Sequence, residues 1–291
     1  MKFLDLFAGI GGFRLGMEMA GHECVGHVEI DKYANKSYNA MHNPKESEYF
    51  GENITKIESR ELPESDVWCG GFPCPAYSIA GRREGFKDPR GTVIFDILRL
   101  AKDKRPKILF LENVRGLLNH DRGRTFATIL LALRECGYYD VQWQLLNSKH
   151  FGVPQNRERV FIIAYLRGYT GRKIFPIASD ARKTDGKLKE VISGRMAERV
   201  GARTGVLRTE NDISHTVRTG GKTSLTAKHN WDTYNINGRI RRLTPKECFR
   251  LQGFPDDYFE RARKVNSDSQ LYKQAGNGVT VNVIYEIAKR L

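Results

Sequence analysis

Cys74 is the residue whose type and surroundings most readily suggest chemistry. It stands between Pro73 and Pro75, directly after the apolar run 67–72 (VWCGGF), and a small basic loop follows it. A thiol at the carboxyl end of a buried strand, beside basic side chains, is placed as the nucleophile of an α/β enzyme would be. A buried structural cysteine would give the same pattern, because free cysteines are often buried. The stretch alone leaves both interpretations open.

Two other clusters place ionisable groups at the ends of apolar runs. Glu112 closes the run 107–112 (KILFLE), and its apolar neighbours predict a raised pKa, as an acid that donates a proton near neutrality requires. Arg157 and Arg159 are two residues apart and therefore lie on the same side of an extended chain. They could bind phosphates or the edge of a base. The alternatives are a capping or surface glutamate and ordinary surface charge.

A glycine turn after the first apolar run suggests a nucleotide-like ligand. Gly9, Gly11 and Gly12 separate a strand-like segment from a helical one, which is where α/β sheets bind such ligands. The dinucleotide fingerprint needs a glycine at position 14, which is Arg14, so an NAD enzyme is a weak alternative. Glu29, near the end of the second strand, could accept hydrogen bonds from ribose hydroxyls. A nucleoside cofactor without a pyrophosphate, such as S-adenosylmethionine, fits these residues, although a turn needed only for packing would also explain the glycines.

The elements that must position these residues alternate between strands and helices. Strands are predicted at 2–8, 23–30, 67–72, 107–112, 139–146 and 160–166, and helices at 13–20, 93–101 and 125–136. Asp31 can cap one further helix, and Thr244 with Pro245 can open another. The turn 276–278 is predicted to start the last, amphipathic helix, and the backbone N–H groups and amide of 274–278 at this helix start suit a carboxylate. This order predicts an α/β fold with a Rossmann-like, mainly parallel sheet and helices on both faces.

The positive charge of the chain is concentrated in one segment. Residues 167–242 contain 17 Lys and Arg against 7 Asp and Glu, so they carry +10 of the net charge of +14. The segment is rich in Gly and Thr and shows little helical periodicity, which predicts a second, smaller domain. Its charge favours a polyanionic partner such as nucleic acid. A solvated basic surface without a partner is the alternative.

Cysteine usage and hydropathy bear on the compartment. The five cysteines include no CxxC pair and no paired His/Cys spacing, so neither a disulfide framework nor a metal site is predicted. A reducing compartment is the simpler inference. No apolar run reaches the roughly 18 residues of a membrane span, and Asp5 interrupts the apolar start, which we interpret as a strand and not as a signal peptide.

Seven segments of the chain resemble the DNA (cytosine-5)-methyltransferase family of the bacterial or phage modification type. They are DLFAGIGGF, VEID, GGFPCPAYSIAG, LENV, QNRERVFIIA, RRLTPKECFRLQGFPDDY and YKQAGNGVTVNVI. They occur in the family's order and span the chain except for about residues 167–238. Each segment is short, but seven in order argue against a chance match.

The resemblance implies a role for each matched residue. Cys74 would add to C6 of cytosine, Glu112 would protonate or hydrogen-bond N3, and Arg159, helped by Arg157, would hold the base and phosphate. The residues that align with positions contacting S-adenosylmethionine are Phe7, Gly9, Gly11, Gly12, Glu29, Ile30, Asn53, Ile54, Pro73, Val93, Asn277 and Val279. Residues 78–92 would close over the DNA. The cytosine would be flipped out, because C5 and C6 are inaccessible inside a stacked duplex.

The resemblance also implies how the chain is divided and what it meets. Residues 1–173 would form the catalytic and cofactor-binding domain, 174–268 a basic target-recognition domain, and 269–291 a segment that returns to the catalytic domain. Residues 218–233 are our candidate for the loop that reads bases. The implied partner is double-stranded DNA. We expect a monomer in the cytoplasm of a bacterial or phage-infected cell, with no membrane contact and, where a cognate restriction endonuclease exists, no stable binding to it.

Two positions depart from the family's pattern, and three alternatives stay open. Pro75 stands where the family usually has Gln, and Asn53 stands in Gly-Glu-Asn-Ile where the family commonly shows Gly-Asp-Ile. A tRNA cytosine-5 methyltransferase of the same fold and a catalytically silent DNA-binding relative are the nearer alternatives. A nicotinamide enzyme is the weakest, because of Arg14.

Overall fold

A seven-stranded sheet forms the centre of the protein. The computed structural model describes residues 1–73, 93–178, 197–199, 214–217, 233–236 and 239–291, with the backbone alone at 197–199, 215, 233–236 and 239–242. Cys74, the loop 78–92 and the candidate reading loop 218–232 lie outside the described residues. Numbered along the chain, the sheet strands are β1 (Lys2–Leu6), β2 (Glu23–Val28), β3 (Tyr49–Gly51), β4 (Val67–Gly71), β5 (Ile108–Val114), β6 (Tyr138–Asn147) and β8 (Glu158–Leu166). They lie side by side in the order β3–β2–β1–β4–β5–β8–β6.

The sheet is parallel from β3 to β5 and antiparallel at β8 and β6. The predicted class, a mainly parallel Rossmann-like sheet, is confirmed. Short strands accompany the sheet: β7 (Gln155–Asn156) pairs with β10 (Ser214–His215), while β9 (Ala197–Arg199), β11 (Thr233–Ile236) and β12 (Arg239–Arg242) form an antiparallel group in the basic region.

Helices cover both faces of the sheet because each strand alternates its side chains between two apolar layers. The helices are α1 (Gly12–Met19), α2 (Lys32–His42), α3 (Val93–Lys104), α4 (Gly116–Asn119), α5 (Arg124–Glu135), α6 (Pro245–Leu251), α7 (Asp256–Arg263), α8 (Asp268–Asn277) and α9 (Val281–Ala288). One layer joins Leu4, Trp68 and Leu111 to α3 and α5. The other joins Phe3 and Phe110 to α1 and α9.

The C-terminal helices pack against the start of the chain. Phe249 on α6 and Leu271 on α8 share an apolar cluster with Ile10, Leu15 and Met41. Both ends of the predicted target-recognition domain, 174–268, therefore contact the catalytic part: the last stretch packs here, and residues 172–177 hydrogen-bond to β6. The proposed boundaries stay a prediction. Across the described ranges, no helix is both long and apolar enough to span a membrane.

Local capping signals were predicted well, and one turn was not. Asp31 accepts hydrogen bonds from the backbone N–H groups of Tyr33 and Ala34 at the start of α2. Thr244 caps α6, with Pro245 in its first turn. The prediction that 276–278 starts the last helix is wrong, because α8 runs to Asn277 and these residues form a helix end. Buried Leu271 and Ala275 anchor α8 strongly enough to carry the helix through Gly276.

Candidate active site

The predicted acid lies at the carboxyl edge of the sheet, opposite the end of β4. In the register of β4 and β5, Gly71 faces Glu112. A methyl group added at Gly71 would lie 2.8 Å from Glu112 Oε2, so any larger residue here would displace this carboxylate from its observed position. Cys74 follows Gly71 by three residues, which limits their Cα separation to about 11 Å. We call residues 71–73, 112–114 and 157–159 the Glu112 end.

Arg159 holds the Glu112 carboxylate from the antiparallel neighbour β8. Arg159 Nε lies 2.9 Å from Glu112 Oε1, and both side chains are largely buried, at 15% and 12% exposed. Burial raises the pKa of Glu112 above its ordinary value, while the guanidinium of Arg159 and, to a lesser degree, that of Arg157 oppose the shift. The result is a carboxyl that is costly to ionise but keeps an oriented cationic partner, which suits a group that must give and regain a proton.

Arg157 occupies a different place from the one predicted for it. Its side chain is buried, and the guanidinium donates to three backbone carbonyls: Nη1 to Val217 O at 3.0 Å, and Nη2 to Gly276 O at 3.0 Å and Gly278 O at 2.8 Å. The carbonyls of Gly276 and Gly278 lie at the end of α8, where a cation is favoured, and Arg157 satisfies both. A guanidinium engaged in this way does not face a phosphate or a base. Within the carboxylate site predicted at 274–278, the carbonyls of Gly276 and Gly278 bind Arg157 instead.

Asn113 supports the segment that leads to Cys74, a role that sequence reasoning did not assign. Its buried amide donates from Nδ2 to Phe72 O at 3.1 Å, while its Oδ1 accepts from the backbone N–H of Val114 at 2.9 Å. The side chain therefore ties the end of β5 to the residue that precedes Pro73. A buried asparagine directly after a strand-ending glutamate was the available signal, because buried amides need partners.

At the other side of the same edge, Glu29 is held by the main chain. Its Oε2 accepts from the backbone N–H of Gly9 and its Oε1 from that of Asp31, both at 2.7 Å. Burial raises the pKa of Glu29, and these N–H groups oppose the shift. The carboxylate is thus fixed beside the glycine turn, with lone pairs left for hydroxyl donors. We call residues 7–12 and 29–31 the glycine-turn end.

The glycine turn is shaped by positive backbone angles and close packing. Gly9 has φ +57 and Gly11 φ +78, a conformation that costs other residues strain. A methyl group at Gly9 would meet no heavy atom closer than Phe7 O at 4.0 Å, so the space beside it is open. A methyl group at Gly11 would lie 2.2 Å from His42 Nε2, and His42 Nε2 also lies 3.0 Å from Ile10 O. The turn therefore packs against His42 at Gly11 and faces open space at Gly9.

The remaining residues predicted to contact a cofactor differ in how far their side chains are exposed. Ile30 is 63% exposed directly after Glu29, so its side chain is accessible to a ligand bound beside that carboxylate. Val279 packs on the start of α1, since a methyl group at Gly12 would lie 2.8 Å from its Cγ1. Ile54 is buried, Asn53, Pro73 and Val93 are half-buried, and Asn277 is exposed at the end of α8. Asn53 Oδ1 accepts from Thr55, which fixes the amide in a turn.

The arrangement combines an open glycine turn and a buried acid along one edge of the sheet. A ligand bound at the glycine-turn end would contact Gly9, Glu29 and Ile30, and a second substrate would meet Glu112 and Arg159. Parallel α/β sheets bind ligands at this carboxyl edge. The acid is on β5 and the glycine turn follows β1, with β4 between them, so two ligands could bind side by side.

Comparison with known proteins agrees with this arrangement. The family described as C-5 cytosine-specific DNA methylase matches residues 1–198 and 180–291. The chain is similar to the type II methyltransferase M.HhaI of Haemophilus parahaemolyticus, with 33% identity over 99% of this chain and 93% of the relative. It is also similar to the type II methyltransferase M.HpaII of Haemophilus parainfluenzae, with 38% identity over 99% and 88%.

The fold is also found among solved structures. The Entamoeba histolytica methyltransferase EhMeth superimposes with a TM-score of 0.73 and covers 98% of this chain and 96% of its own. Only 18% of residues are identical, so this likeness concerns the fold.

Proposed function

Because the chain belongs to the C-5 cytosine-specific DNA methylase family and is a DNA (cytosine-5)-methyltransferase, we propose that it methylates C5 of a cytosine flipped out of duplex DNA, through a covalent bond between Cys74 and C6. Glu112 would deliver a proton or hydrogen bond to N3 as the Cys74 thiolate adds to C6. Electron density then moves to C5, which becomes an enamine carbon and a nucleophile. C5 would then take the methyl group, and N3 would return its proton to Glu112. Loss of the C5 proton to solvent would expel the Cys74 thiolate from C6 and restore the ring.

The observation that carries this proposal is the placement of Glu112. The carboxyl is buried, its pKa is raised, and it lies opposite the strand end that leads within three residues to Cys74. A general acid has to reach the same base that the nucleophile attacks, and this register brings the two chain segments to one point of the sheet edge. Arg159, paired with Glu112, would orient the carboxyl and contact the base.

We propose S-adenosylmethionine as the cofactor, held at the glycine-turn end. When bound, it supplies an electrophilic methyl group. Glu29 would accept hydrogen bonds from the ribose, Ile30 would cover the adenine, and the open space at Gly9 would admit the ligand next to the backbone. Phe7, Gly11, Gly12, Asn53, Ile54, Pro73, Val93, Asn277 and Val279 complete the proposed contacts.

The proposed partner is double-stranded DNA, read by the basic region. Lys and Arg of residues 167–242 would contact phosphates, which position the protein without reading sequence. Base reading would fall to residues 218–233. A tRNA substrate remains the second candidate of the same chemistry, and it is separated by experiment below. We expect the enzyme to work as a monomer in the cytoplasm, with any cognate restriction endonuclease binding the same DNA sequence independently.

Bisulfite sequencing of host DNA after expression tests the function. The host should lack cytosine methylation of its own, and the full-length chain should be expressed beside its Cys74→Ser variant. We expect protection of cytosines in one fixed sequence context by the wild type and none by the variant. Protection in no fixed context would contradict DNA methylation, and protection by the variant would remove Cys74 from its role.

A labelled-methyl assay with purified DNA and tRNA separates the two substrates. The wild-type protein should transfer label to the DNA context found by sequencing. Transfer to tRNA, with DNA left unlabelled, would establish the RNA alternative instead.

A further inference from the structure

The short segment 155–159 contacts the recognition region and the acid with alternate side chains. Residues 155, 157 and 159 point to the same side of an extended chain. Arg159 pairs with Glu112, whereas Gln155 and Arg157 both contact Val217. Val217 directly precedes the candidate reading loop 218–233. One stretch of five residues therefore links the acid to the point where that loop begins.

The contacts to Val217 fix its peptide groups on both sides. The backbone N–H of Val217 donates to Gln155 Oε1 at 3.0 Å, and its carbonyl accepts from Arg157 Nη1 at 3.0 Å. Both Gln155 and Arg157 are buried, and so is the side chain of Val217. Hydrogen bonds between buried groups cost much when one partner is removed. The position of Val217 is therefore tightly set by these two side chains.

Residues 214–216, which precede Val217, also hydrogen-bond to the segment 154–156. β7 and β10 pair in parallel, with Gln155 opposite Ser214, and the backbone N–H of Ser214 donates to Pro154 O at 2.7 Å. Thr216 Oγ1 donates to Asn156 O at 2.7 Å. Every described residue from 214 to 217 belongs to this pairing or is flanked by it. We call Gln155, Arg157 and their contacts to Val217 the Val217 clasp.

The clasp also reaches the C-terminal segment. Gln155 Nε2 donates to Leu251 O at 2.8 Å at the end of α6, and Arg157 Nη2 binds the carbonyls of Gly276 and Gly278. Those glycines precede Val279, which packs on the glycine turn. Gln155 and Arg157 thus join Val217 to the ends of α6 and α8, and the same segment continues to Arg159, which pairs with Glu112.

We propose that Gln155 and Arg157 are positioning residues whose clasp on Val217 couples sequence recognition to the placement of Glu112. This inference rests on the proposed function. The clasp keeps segment 155–159 in register, so that Arg159 presents Glu112 to the base when the recognition region binds its correct DNA sequence. A wrong sequence would pull on Val217, strain the clasp and shift Arg159 together with Glu112. Discrimination would then appear in the chemical step as well as in binding.

The test measures discrimination by the full-length protein on duplex oligonucleotides with labelled S-adenosylmethionine. One duplex carries the context found by bisulfite sequencing, and the others change one base pair each. Gln155→Met and Arg157→Lys should lower the ratio of kcat/KM between correct and changed sites by about tenfold or more, with the loss in kcat on the correct site. Thr216→Val, a milder change at a half-buried side chain, should lower it about two- to threefold.

Gln274→Met is the matched control. Gln274 is also a buried amide that bridges two segments, accepting from Ser37 Oγ at 2.8 Å and donating to Tyr33 O at 3.0 Å, but these contacts do not involve 214–217. Both glutamine variants should lower the melting temperature, since each loses two buried hydrogen bonds. Only Gln155→Met should change discrimination.

The outcomes separate the inference from the function. If the wild type methylates one context and all three clasp variants keep its discrimination ratio within about twofold, the coupling is refuted while the function stands. An equal loss in Gln274→Met would also refute it, because general destabilisation would explain the effect. If the wild type methylates no DNA, the proposed function fails and the coupling falls with it. Should Gln155→Met fail to fold, Arg157→Lys and Thr216→Val decide the question.

Discussion

The glycine-turn end and the Glu112 end of the candidate active site hold their carboxylates with different hydrogen-bond donors. At the glycine-turn end, backbone N–H groups of Gly9 and Asp31 fix both oxygens of Glu29. At the Glu112 end, a side chain from another strand, Arg159, contacts the acid. Burial raises the pKa of both carboxyls, so the difference lies in what opposes the shift. Backbone donors next to Glu29 hold fixed positions, whereas the position of the Arg159 guanidinium relative to Glu112 depends on the register of β5 and β8.

This difference matches the two proposed tasks. A carboxylate that only accepts hydrogen bonds from a ribose benefits from fixed donors, because its protonation state does not have to change. An acid that delivers a proton to N3 needs a partner that keeps it oriented yet leaves its ionisation costly. We therefore expect the same substitution, glutamate to glutamine, to lower kcat at the Glu112 end and to weaken cofactor binding at the glycine-turn end.

The largest effect is expected from Glu112→Gln compared with Glu29→Gln. Removing the acid should lower kcat by about 10²–10⁴-fold, the usual contribution of a general acid, while binding of S-adenosylmethionine stays unchanged. Glu29→Gln should weaken cofactor binding about tenfold and leave kcat at saturating cofactor within a fewfold, because one acceptor for the ribose is impaired. Steady-state kinetics and calorimetric binding measure both quantities.

The same pair of variants can contradict the comparison. Equal losses of kcat in both variants, or weaker cofactor binding in Glu112→Gln, would mean that the two ends do not divide the work as described.

A smaller effect is expected when the Glu112 end is disturbed without touching the acid itself. In Gly71→Ala the new methyl group would lie 2.8 Å from Glu112 Oε2 and push the carboxylate aside. A displacement of about 1 Å in an active site can cost about 10²-fold in rate, so kcat should fall by about that factor. In a Glu112→Gln background the same change should cost less than about threefold, since the displaced acid is already absent. A full additional 10²-fold loss there would show that Gly71 acts through something else.

The smallest effect concerns a third buried carboxyl that has neither kind of donor. Both oxygens of Asp5, on β1, are without a hydrogen-bond partner in the part of the chain that the structure describes. Burial raises the pKa of Asp5 to about 8, with Arg14 opposing the shift. The native state therefore binds this proton more tightly than the unfolded chain, and stability should fall as pH rises towards 8.

Asp5→Asn should remove that dependence. Relative to the wild type, the free energy of unfolding of the variant should rise by up to about 1.4 kcal/mol per pH unit between pH 5 and 7.5. Urea denaturation at several pH values gives the difference. A difference that does not change with pH would show that Asp5 is ionised in the native state across this range.

Features set by local sequence were predictable. The alternation of strands and helices gave the sheet, and Asp31 and Thr244 cap the helices that they precede. Glu29 could be placed beside the glycine turn because both follow directly on neighbouring parallel strands. These relations need only short stretches of chain and the common edge of a parallel sheet.

Features set by distant segments were not predictable. Arg157 and Arg159 look equivalent in sequence, yet Val217, Gly276 and Gly278 bind the first, and Glu112 binds the second. Gly276 and Asn277 read as a turn by composition, but the buried side of α8 extends the helix through them. In both cases the partner is more than 40 residues away or belongs to tertiary packing, which periodicity does not reveal.

The measurement that most directly tests the central claim follows the hydrogen on C5 of the target cytosine. DNA carrying tritium at that position, in the context found by sequencing, is incubated with the enzyme and carbon-labelled S-adenosylmethionine, and released tritium is compared with incorporated methyl. The account predicts one tritium released per methyl group transferred by the wild type, a much slower matched release by Glu112→Gln, and no methyl transfer by Cys74→Ser. Methyl incorporation with the tritium retained would contradict it.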